Sequence, residues 1–183
     1  SVLVLVEADG SETIVKKSVA GSQMVSALVD GSCTVLVRNQ AKAFSDLQGH
    51  WAQDAIRFVS ARELFHGTSA SAFSPDAHMT RSMLATVLWR LEDAEGTSGS
   101  ALFSDVPGGA WFADAVRWAS GKEIVTGYGD GRFGSNDSIT REQLAAILYR
   151  YCRALGVPTE HTGDLSRFHD SRHVSDWACD AMS

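Results

Sequence analysis

Cysteine, proline, positive charge and long apolar runs are all scarce in this chain, and each scarcity excludes something. Three cysteines in 183 residues, Cys33, Cys152 and Cys179, stand singly without CxxC spacing, so no disulfide framework, redox motif or thiolate metal site is expected. One pair plus an odd thiol stays open. Three prolines are too few for a polyproline or low-complexity segment. Sixteen Lys and Arg against 22 Asp and Glu give a formal charge of −6. That balance argues against a nucleic-acid surface and leaves no basic stripe for a membrane. No apolar run approaches the roughly 20 residues that cross a bilayer. No initiator methionine or signal peptide stands at the start, so the export signal of a module working outside the cell is expected upstream of Ser1. What remains is ordinary: 44% hydrophobic and 21% charged residues, enough to bury a core without staples.

The chain is, however, a copy of itself. Shifted by sixty residues, Trp51 falls on Trp111, Asp54-Ala55-Ile56 on Asp114-Ala115-Val116, Gly67 on Gly127, Phe73 on Phe133, and Thr80-Arg81 on Thr140-Arg141. A third copy opens at Phe168-His169-Asp170 and runs to Trp177-Ala178-Cys179-Asp180-Ala181-Met182. Within each copy, Trp-x-x-Asp-Ala-apolar begins an amphipathic helix, with Ala52, Ala55, Ile56 and Val59 or Phe112, Ala115, Val116 and Ala119 on one face. Gly121 suits the left-handed residue past such a helix, where the first copy has Ala61. A polar loop follows, Gly67 to Met79 or Gly127 to Ile139, compact only if its ring, Phe73 or Phe133, is buried. Thr80 and Thr140 then read as N-caps, and Thr140-x-x-Gln143 as a capping box. Behind them run the stripes Leu84, Val87, Leu88, Leu91 and Leu144, Ile147, Leu148, Tyr151.

Residues 1–43 follow another rule. Ser1–Val6 and Glu12–Val19 flank the turn signal Asp9-Gly10, and Met24–Val29 and Cys33–Val37 flank Asp30-Gly31, which predicts four short strands in a meander. So little chain cannot build its own core, and the segment reads as the tail of a larger β-domain. The expected organisation is therefore 1–43, a β segment with its linker; 44–102, repeat 1; 103–167, repeat 2 with linker; and 168–183, a truncated repeat 3. Asp93 to Ala101 and Gly156 to Leu165 are the connections between copies.

These landmarks resemble the S-layer homology family, whose pattern runs F-x-D, a W-A dipeptide, G-x-x-x-x-x-F and T-R-A-E. The resemblance covers Phe44 to Ser183. The chain departs at Met83 and Gln143, which replace the glutamate of T-R-A-E, and at Trp111-Phe112, which replaces W-A. The resemblance implies a mainly α fold of helix-loop-helix repeats in a pseudo-threefold arrangement, behind a short antiparallel β segment. It implies an extracellular, cell-wall or S-layer associated anchor that binds anionic, often pyruvylated, secondary cell-wall polysaccharide of a bacterium. It calls for no cofactor, nucleic acid or transmembrane segment. The cut in repeat 3 adds self-association as an expectation, since it leaves Trp177 and Met182 partly uncovered.

Each tempting site has a plainer reading. Trp51, Trp111 and Trp177 suit sugar stacking, although one tryptophan per repeat is more often a packing anchor. Asp46, Asp105 and Asp170 precede helices and are expected to cap or charge their N-termini rather than to catalyse. Gly127 to Gly134 lacks the Lys-Ser/Thr ending of a phosphate loop, His169, His173 and Cys179 lack a fourth zinc ligand, and Asp130 with Asp137 misses the EF-hand pattern. No catalytic set stands out. Arg81 and Arg141 differ because they recur directly after an N-cap, where guanidinium and free amides face one pocket. Their plainer reading is pairing with Asp76 or Asp137. With the resemblance, the expected ligand-binding set is Arg141, with Arg81 as its weaker counterpart, and Trp111, Trp51, Thr140 and Thr80 around them. The rival classes are the C-terminal part of a secreted carbohydrate-active enzyme and a protein–protein interaction module of the cell surface.

Overall fold

A computed structural model describes residues 1–21, 24–29, 31–96, 102–160 and 163–183. Parts of both expected connections, 97–101 and 161–162, and Asp30 of the second turn lie outside the described residues. The chain divides into two compact units, Ser1–Ala77 and His78–Ser183.

Unit 1 begins with β1 (Val2–Val6), β2 (Glu12–Ile14), β3 (Val19–Ala20), β4 (Val25–Ser26) and β5 (Thr34–Arg38). Asp9-Gly10 turns β1 into β2 as expected, with Gly10 at φ 85° and its amide donating to Glu7 O. The four-strand meander is not what forms. The larger sheet has the order β2-β1-β5, all antiparallel, and β3 and β4 make a separate pair. The physical reason is burial: β1 is the most apolar strand, and its central place lets Val2 and Val4 pack with Ala61 and Ile14. The segment thereby gains its core from α1 (Gln53–Ala61). Arg62, only 1% exposed, strengthens that seam. Its guanidinium lies 3.6 Å from the Phe58 ring centroid, and Nε donates to Ser18 O at 3.0 Å.

Unit 2 contains α2 (Arg81–Leu91), α3 (Ala113–Gly121), α4 (Arg141–Ala154) and α5 (Cys179–Met182). Repeat 1 is thus divided between the units, its first helix in one and its second in the other. The close pairs are α2 with α3 and α4 with α5, so the second helix of each copy packs on the first helix of the next. Leu84, Ala85 and Leu88 of α2 share one core with Phe112, Val116 and Ala119 of α3, and Ile147 and Tyr151 of α4 complete it. Each buried Leu, Ile or Val there contributes about 1.5–3 kcal/mol.

The caps form as the sequence implies. Thr80 and Thr140 accept from the amides of Met83 and Gln143, and the boxes close through Met83 sulfur and the Gln143 amide oxygen. The helix stop differs. Gly121 lies inside α3, and the left-handed residues are Glu63 and Glu123, both at φ 57° and one period apart. Gly67 and Gly127 have a steric reason: a Cβ on Gly127 would sit 2.5 Å from Arg132 O and 2.6 Å from the Phe103 ring, and one on Gly67 2.7 Å from Ala72 O and 2.8 Å from the Phe44 ring.

Candidate functional site

The polar loop of repeat 2 is fastened by one carboxylate. Asp105 accepts from the amides of Phe133, Gly134 and Ser135 at 2.7–2.9 Å, and Asp46 accepts from those of Phe73 and Ser74 in repeat 1. Asp46 and Asp105 therefore do not cap the helices after them, as the sequence suggested; each ties down a loop some 27 residues or more downstream. Burial alone would raise the Asp105 carboxyl, but the three amide donors outweigh it and hold the carboxyl below its ordinary range. A depressed folded value means stability that is present above the unfolded pKa of about 4 and is lost as pH falls through the folded value. Asp105→Ala is expected to destabilise unit 2 by about 2–4 kcal/mol, because buried amides lose a charged acceptor. It should also remove part of the acid dependence below about pH 4. Melting curves from pH 3 to 7 check both.

Fastened in this way, the loop meets the N-terminus of α2. Phe133 is fully buried, and the 5% exposed Arg81 reaches across it. Arg81 Nε donates to Phe133 O at 3.0 Å and Nη2 to Thr126 O at 2.7 Å, with its guanidinium 4.8 and 4.9 Å from the Tyr128 and Phe133 rings. Desolvation lowers the Arg81 pKa, against which Tyr128 and Asp137 act. The backbone joins in: Arg81 N donates to Asp137 O, Ser82 N to Ser135 O, and Ile139 N to Met79 O. The first-turn amides and the fork of Arg81 are consequently occupied by carbonyls. The carboxylate pairing considered as the plainer reading is not the main contact, and Asp76 pairs with His50 instead.

At the other Thr-Arg helix the same positions are open. Arg141 is exposed and forms no hydrogen bond or ion pair among the described residues, and the amides of Arg141 and Glu142 meet no acceptor there. Glu142 turns away to Ser175, accepting from its amide at 3.0 Å and its hydroxyl at 2.9 Å, which fixes the start of the third copy. Beside this N-terminus stands Tyr128, whose hydroxyl is pushed up by burial and by a hydrogen bond to Asp137. The structure therefore separates the two arginines by environment, Arg81 buried on backbone carbonyls and Arg141 exposed. The geometry joins Arg141 with the capping Thr140, and Arg81 with Thr80.

The tryptophans are not packing anchors. Trp51, Trp111 and Trp177 are 91%, 61% and 55% exposed, and Trp111 meets Phe112 edge to face at 5.2 Å. All three cysteines are free thiols. No group of three metal-ligating side chains stands together among the described residues, and no helix there is long and apolar enough to cross a membrane.

Comparison with known proteins settles what this repeat is. The sequence profile of the S-layer homology domain matches residues 43–82 and 102–145. These repeats belong to the S-layer homology family. Over 138 residues the chain is 33% identical to an amylopullulanase of Thermoanaerobacterium thermosulfurigenes, covering 75% of this chain and 7% of that protein. It is 30% identical over 119 residues to a cellulosome-anchoring protein of Acetivibrio thermocellus, covering 62% and 26%. It is 26% identical over 163 residues to a surface-layer 125 kDa protein of Lysinibacillus sphaericus, covering 89% and 13%. The chain thus spans at most about a quarter of the length of these relatives. The S-layer homology repeat is a cell-surface anchoring module, without catalytic function of its own, and it places this region at the bacterial surface.

Proposed function

We propose that this chain anchors a surface protein to anionic secondary cell-wall polysaccharide, and that the carboxylate of a pyruvyl substituent is the group it grips. The observation that carries this reading is the open N-terminus of α4, where Arg141 is exposed and the amides of Arg141 and Glu142 meet no acceptor among the described residues. Thr140 orders that turn, and Trp111 and Trp51 offer exposed ring faces for sugar. Arg81 and Thr80 contribute from within, by fixing the loop that carries Tyr128. The relatives support a role in attachment rather than chemistry. A segment shared by an amylopullulanase, a cellulosome-anchoring protein and a surface-layer protein is not specific to any one reaction. In the full module the repeats 44–102, 103–167 and the one opening at 168 stand in a pseudo-threefold arrangement, and exposed apolar surface on the third copy, with Trp177, supports self-association.

Co-sedimentation with bacterial wall tests this. The protein should pellet with intact sacculi and stay in solution when the secondary polymer has been stripped. Equal retention on stripped wall would replace this reading with protein–protein interaction, and hydrolysis of wall polysaccharide by the chain would replace it with catalysis.

A further inference from the structure

The sixty-residue period makes the two repeats comparable position by position, and one polar pair stands in repeat 1 alone. His50 immediately precedes Trp51, and its carbonyl accepts from the Gln53 amide at 3.0 Å. Its ring ties down the same turn, since Nδ1 accepts from the Ala52 amide at 3.1 Å. An amide can only donate, so Nδ1 carries no proton there and the ring is the neutral tautomer with its hydrogen on Nε2. That Nε2 faces Asp76 Oδ1 at 3.4 Å. The imidazole also lies against the Trp51 indole, with ring centroids 5.7 Å apart and 32° between the planes. Trp51 is 91% exposed, and no other aromatic ring meets it among the described residues. His50, Trp51 and Asp76 line one open groove of about 280 Å³. One period later Ala110 and Asn136 replace His50 and Asp76, and Trp111 meets Phe112 instead. Repeat 2 thus sets its tryptophan without a group that titrates near neutral pH.

We propose that His50 is a positioning residue for the Trp51 ring and that its protonation releases that ring, so that repeat 1 loosens its hold on wall polymer in mild acid while repeat 2 does not. Between about pH 5 and 8 an imidazole takes up a proton. The new hydrogen goes to Nδ1, where it meets the Ala52 N–H, and two donors cannot bond. Two carboxylates face the ring, Asp76 from the loop after α1 and Asp46 from the turn before it. The imidazolium is drawn toward them and away from the Ala52 amide. The turn that carries Trp51 then loses one of its two ties to His50, and the indole loses the ring behind it. Because the neutral ring is the holding form, Trp51 is set above the imidazole range and freed as pH falls through it. The inference rests on the reading of Trp51 as a sugar platform.

The test uses the full 183-residue protein. Isotope-labelled protein without polymer is titrated by NMR from about pH 8 to about pH 5. The Ala52 amide and the Trp51 indole should shift with the same midpoint as the His50 ring, and the Trp111 indole should stay still. His50→Asn should abolish the pH-dependent shifts of Ala52 and Trp51 and leave melting unchanged, because an Asn side-chain oxygen accepts from the amide two residues on and does not titrate. Asp76→Asn should keep the coupling and lower its midpoint, having removed a carboxylate that favours the imidazolium. Affinity for pyruvylated wall polymer should fall about three- to tenfold over the same range, the value of one neutral hydrogen bond, and should be equal at both ends for His50→Asn. An Ala52 amide or Trp51 indole that ignores the His50 midpoint would overturn the proposal, as would a pH-dependent affinity that survives in His50→Asn. Those failures leave wall binding itself in place, whereas no binding at either pH would overturn the wall reading and the pH control with it.

Discussion

Arg81→Ala should cost unit 2 about 3 kcal/mol and lower its melting temperature by more than about 10 °C. The side chain is 5% exposed, and its removal strands the carbonyls of Phe133 and Thr126, ends two ring contacts and leaves a void beneath the loop. Lysine should recover only part of the loss, because one ammonium cannot reproduce a fork that spans two carbonyls and lies against two rings. The loop amides of Gly134 and Ser135 should exchange faster with solvent in the variant. Calorimetry and hydrogen exchange check these outcomes. A variant that melts like the parent would mean that the loop is held by Asp105 alone.

The corresponding change one period later should do the reverse. Arg141→Ala is expected to leave melting within about 0.5 kcal/mol of the parent, since an exposed arginine contributes little to stability. It should weaken binding of pyruvylated wall polymer roughly ten- to hundredfold, the value of one bidentate, charge-assisted contact of about 1.5–3 kcal/mol. Lysine should restore charge but only a fraction of affinity. The competing account comes from Arg81 itself, which sits at the same repeat position and is used up internally. Parent-like binding by Arg141→Ala would mean that the exposed arginine is not what grips the polymer.

The contrast between these two arginines shows what the sequence could carry. The period, the Thr caps and the paired glycines were legible because each rests on contacts within a few residues or on direct self-comparison. The capping box at Thr140 needs only Gln143, three residues away. The role of Arg81 was not legible, because its acceptors are backbone carbonyls 45 and 52 residues distant, and any residue type supplies a carbonyl. Asp46 and Asp105 were misjudged for the same reason: their partners are amides in a loop far along the chain. A recurring Asp one loop ahead of a recurring Phe was the available signal.

Two other misreadings have local causes. Gly121 drew the left-handed assignment by residue type, whereas Glu63 and Glu123 take it in both copies, a position marked only by repetition of the same non-glycine residue. The tryptophans looked like core by size, yet they stand ahead of α1 and α3 rather than on the helical stripe, and that offset leaves them exposed. In the β segment, the Asp9-Gly10 turn specifies only the β1–β2 pair. The β1–β5 pairing joins residues more than thirty positions apart at Val2 and Arg38, and it is set by the need to bury Val2 and Val4 against α1.

The most direct test of wall anchoring through the α4 N-terminus is a calorimetric titration of the 183-residue protein with a pyruvylated wall-polymer fragment, before and after chemical removal of the pyruvyl groups. Saturable binding of the intact fragment is expected, with a loss of at least about tenfold in affinity on depyruvylation and no further loss on depyruvylation for Arg141→Ala. Equal affinity for both fragments, or a depyruvylation effect of full size in Arg141→Ala, would contradict it.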